Sequence, residues 1–128
     1  MSSTPMRCRG VRGAITVDAN TPDAILDAAH DLLITLIAAN DIVIDDIGSV
    51  TFTTTPDLDA EYPAVAARRM GWTDIAMLCT HEMAVPGSLT MVLRVLIMWN
   101  TTRAATDIQH VYMRDAAQLR PDRSYTIA

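Results

Sequence analysis

The segment Leu89–Trp99 constrains the fold of this chain more than any other. It is apolar almost throughout, and Arg94 stands near its middle. Since a membrane span needs about 20 apolar residues, the segment is too short to cross a bilayer. A run of this kind is typical of a strand covered on both faces or of a buried helix, and periodicity alone does not separate the two. We favour the strand.

Two helices are predicted from their start signals. Thr21 is a favourable N-cap, and Pro22 fits the first helical position. Apolar residues then recur with helical spacing, so a long amphipathic helix should end near Asn40. Pro63 favours the start of a second, short helix over Ala64–Met70.

Four more segments carry strand signals, with apolar or β-branched residues bounded by Gly or Pro. They are Arg7–Val17, Gly48–Thr54, Trp72–Cys79 and His110–Leu119. The order β-α-β-α-β-β-β predicts an α/β (α+β-like) fold, in which one long and one short helix pack against a mixed sheet of about five strands. One domain over residues 1–128 fits this length, with flexible tails expected at 1–6 and 121–128.

The charge balance limits the partners of the chain. The formal net charge is −5, and the ten cations are all Arg. Without Lys there is no Schiff-base chemistry, and guanidinium groups are the only means of holding anions. The acidic balance argues against non-specific binding to nucleic acid or a membrane surface. The segment Met1–Pro5 lacks the apolar core of a secretion signal, so we expect a cytosolic protein with reduced thiols.

Three charged residues are candidates for a functional site. Arg12 lies between Gly10 and Gly13, and is either a solvated strand residue or one that a ligand approaches closely. The apolar neighbours of Arg94 imply burial, which requires an anionic partner, either a structural carboxylate or a ligand carboxylate. Glu82 follows the predicted third strand, and is either a loop carboxylate or a partner of an Arg.

The stretch Cys79-Thr80-His81-Glu82 does not predict a metal site or a nucleophile. A second pair of ligands at an established spacing is missing, and nothing indicates an oxyanion hole beside Cys79 and His81. Nucleotide-binding fingerprints and paired catalytic carboxylates are also missing. We therefore expect no metal and no cofactor.

Taken together, the short motifs resemble the monofunctional AroH class of chorismate mutase. Each motif is weak alone, but they stand in the family's order and near its spacing along nearly the whole chain. They are Arg9-Gly10-Val11-Arg12-Gly13-Ala14-Ile15-Thr16-Val17, Thr55-Pro56-Asp57-Leu58-Asp59-Ala60, Tyr62-Pro63-Ala64, Cys79-Thr80-His81-Glu82-Met83, Leu93-Arg94-Val95, His110-Val111-Tyr112 and Leu119-Arg120-Pro121-Asp122.

The resemblance implies the conversion of chorismate to prephenate, the step that commits chorismate to phenylalanine and tyrosine. It also implies a homotrimer with a central barrel-like core and three active sites at the subunit interfaces. Arg94 and Glu82 would be catalytic. The substrate-binding residues implied by the resemblance are Arg12, Tyr112, Cys79, Leu78, Thr80, His81, Tyr62, Ala64, Arg68 and Arg120. Val65 stands where the family often has a Lys, which leaves Arg68 and Arg120 to guide the ligand, and Tyr62 replaces the more familiar Phe.

Two other functions use similar residues. One is a non-catalytic trimer that binds a small dicarboxylate metabolite, which would tolerate loss of Glu82. The other is a trimer like the imine deaminases, which needs an Arg-held carboxylate and an activated water. The combination of Arg94, Glu82 and Tyr112 favours the mutase over both.

Overall fold

The computed structural model describes residues 4–120 together with the strand at 125–127. Two α-helices and six strands make up the fold, and short 3₁₀ turns join some of them. In chain order they are β1 Arg7–Thr16, α1 Pro22–Asn40, β2 Ile47–Thr54, α2 Ala64–Arg69, β3 Ala76–His81, β4 Val92–Thr101, β5 Val111–Met113 and β6 Tyr125–Ile127. Neither helix of the described chain is long and apolar enough to cross a membrane.

The strands form one mixed sheet in the order β3-β2-β4-β1-β5-β6. β4 pairs antiparallel with β1 and β2, whereas β2–β3, β1–β5 and β5–β6 are parallel pairs. The apolar segment that contains Arg94 therefore forms an inner strand, as predicted, and not a helix. The five predicted strands and both helices are confirmed.

Helix α1 begins and ends where its local chemistry indicates. The Thr21 hydroxyl accepts a hydrogen bond from the Ala24 N–H at 3.2 Å, and Asp41 ends the helix in the left-handed conformation. The apolar stripe of α1 packs closely on the sheet at Gly13. A Cβ added there would lie 2.7 Å from Leu36 Cδ1, so a larger residue would require the Leu36 side chain to move.

The two faces of the sheet differ because side chains alternate along each strand. Val11, Phe52 and Leu93 point to the helix side and are fully buried in the main core. On the opposite face, the 3₁₀ turn Arg114–Leu119 packs only against one end of the sheet. The remainder of that face, including Leu96, is more exposed, and we call the whole face the open face.

Two predicted strand boundaries are wrong, each for a non-local reason. β3 starts at Ala76 instead of Trp72, because the Trp72 N–H donates to Ala67 O at 3.1 Å and Trp72 is buried beside α2. β5 ends at Met113 instead of Leu119, since Arg114 takes a left-handed conformation at φ 55°. Arg114 Nη1 donates to Thr16 O at 3.0 Å, which holds this break in place.

The C-terminal tail prediction also needs a correction. Tyr125–Ile127 forms strand β6, which pairs in parallel with β5, within the segment predicted to be a flexible tail. The rest of that segment, 121–124 and 128, lies outside the described residues, as do residues 1–3 of the N-terminal tail.

Candidate active site

The register of the sheet brings three of the predicted site residues onto the open face. Ala14 of β1 pairs with Arg94 on one side and with Tyr112 on the other. Arg12 stands two residues before Ala14 and therefore points the same way. These three side chains and Glu82 line a cavity of about 200 Å³.

Glu82 reaches this cavity from the end of β3. Its N–H donates to Thr54 O at 2.8 Å, which continues the pairing of β3 with β2. Its Oε2 accepts a hydrogen bond from the Thr53 hydroxyl at 2.9 Å and lies 3.6 Å from Arg94 Nε. A structural carboxylate is thus one anionic partner of Arg94.

Arg94 is less buried than the sequence predicts. Its side chain is 43% exposed and that of Glu82 is 35% exposed. The prediction is wrong because only one face of β4 is covered by the core: Leu93 and Val95 point to the helix side, whereas Arg94 points to the open face. In the described chain, the terminal nitrogens of its guanidinium have no hydrogen-bond partner.

A further cavity adjoins Glu82 and Arg94. It has a volume of about 270 Å³ and is mostly apolar. Its lining includes Met83, Val85, Leu89 and Leu119, which the sequence analysis did not single out as site residues. An apolar wall of this kind would favour the non-polar part of a ligand whose charged groups are held by the arginines.

Half of the remaining predicted residues line a separate cavity of about 330 Å³. Tyr62, Cys79, Thr80 and His81 line it, and Tyr62 is 66% exposed. The Cys79 side chain lies on the helix side of β3 and packs on the core, so it is not beside Glu82 within one chain. The chain thus carries two separate groups of predicted site residues.

The Cys79 thiol has a distinct environment. Burial raises its pKa, and this outweighs a hydrogen bond from the Ala64 backbone and the positive charge of Arg68, both of which lower the pKa. A raised pKa keeps the thiol protonated near neutral pH, which fits a neutral hydrogen-bond donor better than a nucleophile.

The other predicted residues take varied places. Leu78 lies on β3 and is 71% exposed. Arg68 is exposed in the last turn of α2, while Arg120 is half-buried where the last 3₁₀ turn ends. Val65 packs against the core, which accounts for an apolar residue at this position.

Two polar neighbours of the site were not found from the sequence. Thr53 holds Glu82, and the His110 ring accepts a hydrogen bond from the Arg12 backbone at 3.0 Å. Strand alternation places Thr53 on one face of β2, but only the pairing with Arg94 shows which face. His110 stood within a recognised motif but was given no role. Among the described residues, no cluster of three or more His, Cys, Asp or Glu could hold a metal ion.

Comparison with known proteins decides the family. The model of chorismate mutase type I matches residues 8–123. The chain belongs to the chorismate mutase type I family. The resemblance drawn from the short motifs is therefore confirmed, and with it the assignment to an isomerase family.

Individual relatives are similar in sequence to this chain over most of their length. Chorismate mutase AroH of Thermus thermophilus is 46% identical over 115 residues, which cover 89% of this chain and 94% of that protein. Chorismate mutase AroH of Bacillus subtilis (strain 168) is 38% identical over 122 residues, which cover 94% of this chain and 96% of that protein. A solved chorismate mutase from Clostridium thermocellum superimposes with a TM-score of 0.84 at 46% identity, and covers 85% of this chain and 97% of that chain.

Proposed function

We propose that this chain converts chorismate to prephenate in sites formed between copies of the chain in a homotrimer. The observation that carries the proposal is the cluster on the open face. There, Arg12, Arg94 and Tyr112 line one cavity together with Glu82. Two guanidinium groups in one small cavity can bind carboxylates of a ligand, and the carboxylate of Glu82 can accept a hydrogen bond from a ligand hydroxyl.

The reaction requires no group that this cluster lacks. Chorismate is a dianion that rearranges within itself, breaking an ether C–O bond while a C–C bond forms. An enzyme accelerates such a step by holding the compact reactive conformer and by stabilising negative charge that grows on the ether oxygen. Neither task needs a nucleophile, a metal or a proton carrier.

Each member of the cluster has a proposed role. Arg94 donates to the ether oxygen, since its terminal nitrogens are unpaired in the described chain and its Nε is held beside Glu82. Arg12 and Tyr112 hold a substrate carboxylate. Glu82 accepts a hydrogen bond from the substrate hydroxyl, and its own position is fixed by Thr53.

The energetics require more than one contribution. A preorganised donor to a developing oxyanion is worth about 3–4 kcal/mol. Even a modest acceleration of about 10⁶-fold requires about 8 kcal/mol. Arg94 alone is therefore insufficient, and selection of the reactive conformer by the other side chains must supply a comparable share.

A neighbouring chain would complete the site. Leu78 is 71% exposed and Leu96 is 38% exposed, which leaves apolar side chains at the surface of the sheet beside the cluster. Packing of a second chain there would cover them and could bring its Tyr62 and Cys79 to the cavity of the first. Such an arrangement gives a function to both groups of predicted site residues, including the exposed Arg68 near Cys79.

The direct test is to mix purified protein with chorismate and to follow the loss of its ultraviolet absorbance. We expect acceleration over buffer that is lost in Arg94→Ala. No acceleration by the wild-type protein would overturn the proposal. Binding of chorismate without turnover would support the dicarboxylate-binding alternative instead.

A mixing experiment tests whether sites are shared between chains. Arg94→Ala and Tyr62→Asp damage opposite groups of site residues, and each variant should be impaired alone. After the two are unfolded and refolded together, random cyclic trimers should contain about one quarter intact sites. Sites contained within single chains would give only the average of the two separate activities, and sedimentation of a stable monomer would also contradict shared sites.

A further inference from the structure

The backbone of Arg12 is held by an unusual partner. The parallel pairing of β1 with β5 covers only Gly13–Ile15 against Val111–Met113, so it begins one residue after Arg12. At Arg12 the residue just before β5 supplies a side chain instead of a backbone carbonyl. The Arg12 N–H donates to His110 Nδ1 at 3.0 Å, across 98 residues of sequence.

This contact fixes the chemical state of the His110 ring. A backbone N–H can only donate, so Nδ1 must be the acceptor and carry no proton. A protonated imidazole has hydrogens on both nitrogens and could not accept this bond. The structure therefore assigns a neutral ring with its hydrogen on Nε2.

The ring itself is presented by a rigid support. Asn40, fully buried at the end of α1, accepts from the Gln109 N–H at 2.7 Å and donates to Gln109 O at 2.9 Å. It also donates to Leu36 O at 3.0 Å. Both backbone groups of Gln109 are thus fixed to the helix, and His110 is the next residue. The end of α1 therefore determines where the imidazole meets β1.

We propose that His110 is a positioning residue for Arg12. Its neutral ring anchors the β1 backbone at the point where the sheet pairing stops, and so directs the Arg12 guanidinium into the cavity shared with Arg94 and Tyr112. This inference rests on the proposed role of Arg12 in holding a substrate carboxylate. His110 does not touch the substrate in this scheme, and acts only through Arg12.

Two polar variants separate this contact from any other role of the ring. In His110→Asn, the side-chain oxygen replaces Nδ1 at nearly the same distance from the backbone and can accept from the Arg12 N–H. In His110→Gln, the polar atoms extend to the position of Nε2, and the acceptor near Nδ1 is lost. His110→Leu removes the polar atoms at both positions, Nδ1 and Nε2.

The kinetic test compares these variants with the wild type in the chorismate assay. We expect His110→Leu and His110→Gln to raise KM about tenfold, the equivalent of one hydrogen bond, while His110→Asn stays close to the wild type. The value of kcat should change much less than KM. A wild-type KM in His110→Gln but not in His110→Asn, or an unchanged KM in His110→Leu, would overturn the proposal.

A second readout does not depend on catalysis. In ¹⁵N NMR spectra of the wild type, the His110 Nδ1 signal should be that of an unprotonated nitrogen. The Arg12 amide signal should move in His110→Leu and His110→Gln but stay in place in His110→Asn. A protonated Nδ1 in the wild type, or an Arg12 amide signal that does not move in His110→Leu, would overturn the proposal. Absence of turnover in the wild type, with the NMR pattern as expected, would instead refute the proposed function.

Discussion

Replacement of Arg94 by citrulline is the sharpest test of the electrostatic part of the mechanism. Citrulline keeps nearly the shape of Arg, its Nε–H and one terminal NH2 group, but has a carbonyl oxygen in place of the other terminal nitrogen and no charge. In the described chain, Arg94 Nε lies 3.6 Å from Glu82 Oε2, and the Arg94 side chain is 43% exposed. The exchange therefore removes the charge from a group whose position is set by the sheet and by Glu82.

The expected magnitude follows from this geometry. Two unit charges about 4 Å apart interact by about 1 kcal/mol in water and by about 4 kcal/mol at an effective dielectric constant near 20. Partial exposure places Arg94 of a single chain between these limits, and a covering neighbour would move it toward the higher one. Removing the charge from a covered site should therefore raise the activation free energy by about 3–4 kcal/mol, so we expect kcat to fall about 100- to 1,000-fold.

The assay is the loss of chorismate absorbance, with semisynthetic protein that contains the natural Arg94 as reference. Arg103→citrulline is a matched control. Arg103 is also partly exposed, at 34%, and is paired with Asp41 at 3.4 Å, but it lies against Trp99 and lines none of the three cavities near the site. The control should retain wild-type turnover. If citrulline at position 94 changed kcat by less than about tenfold, equal to 1.4 kcal/mol, the electrostatic reasoning would be refuted.

Three other predictions concern single residues. Glu82→Gln should lower kcat/KM in the chorismate assay about 10- to 100-fold, because a hydrogen bond to a charged group contributes about 1.5–3 kcal/mol; an unchanged value would contradict the role of the carboxylate. Gly13→Ala places a Cβ 2.7 Å from Leu36 Cδ1 and should lower the free energy of unfolding in urea by about 1–3 kcal/mol; full stability would show that the Leu36 side chain moves aside at little cost. Burial raises the pKa of Cys79, so near pH 8 iodoacetamide should modify exposed Cys8 first, as measured by mass spectrometry, and the reverse order would contradict a protonated Cys79.

Local chemistry made much of the fold predictable. Thr21 and Pro22 mark the start of α1 because an N-cap and a first-turn Pro act within a few residues. The alternation of side chains along β1 likewise places Arg12 and Val11 on opposite faces of the sheet, whichever strands pair with β1. Features of this kind depend on near neighbours, so the sequence pattern contains them directly.

Features that depend on distant partners were not predictable in the same way. The exposure of Arg94 depends on what covers the second face of the sheet, and the apolar neighbours of Arg94 along the chain carry no information about it. The break after β5 depends on Arg114 reaching Thr16, 98 residues away.

The place of β1 in the sheet also has a consequence for protein synthesis. β1 lies between β4 and β5, and Val92 stands 76 positions after Thr16. At ribosomal rates of about 5–20 residues per second, β1 waits on the order of 4–15 seconds before its antiparallel partner has been made. During that interval the apolar side chains of β1 have no antiparallel partner strand, so the unfinished chain exposes surface that favours aggregation.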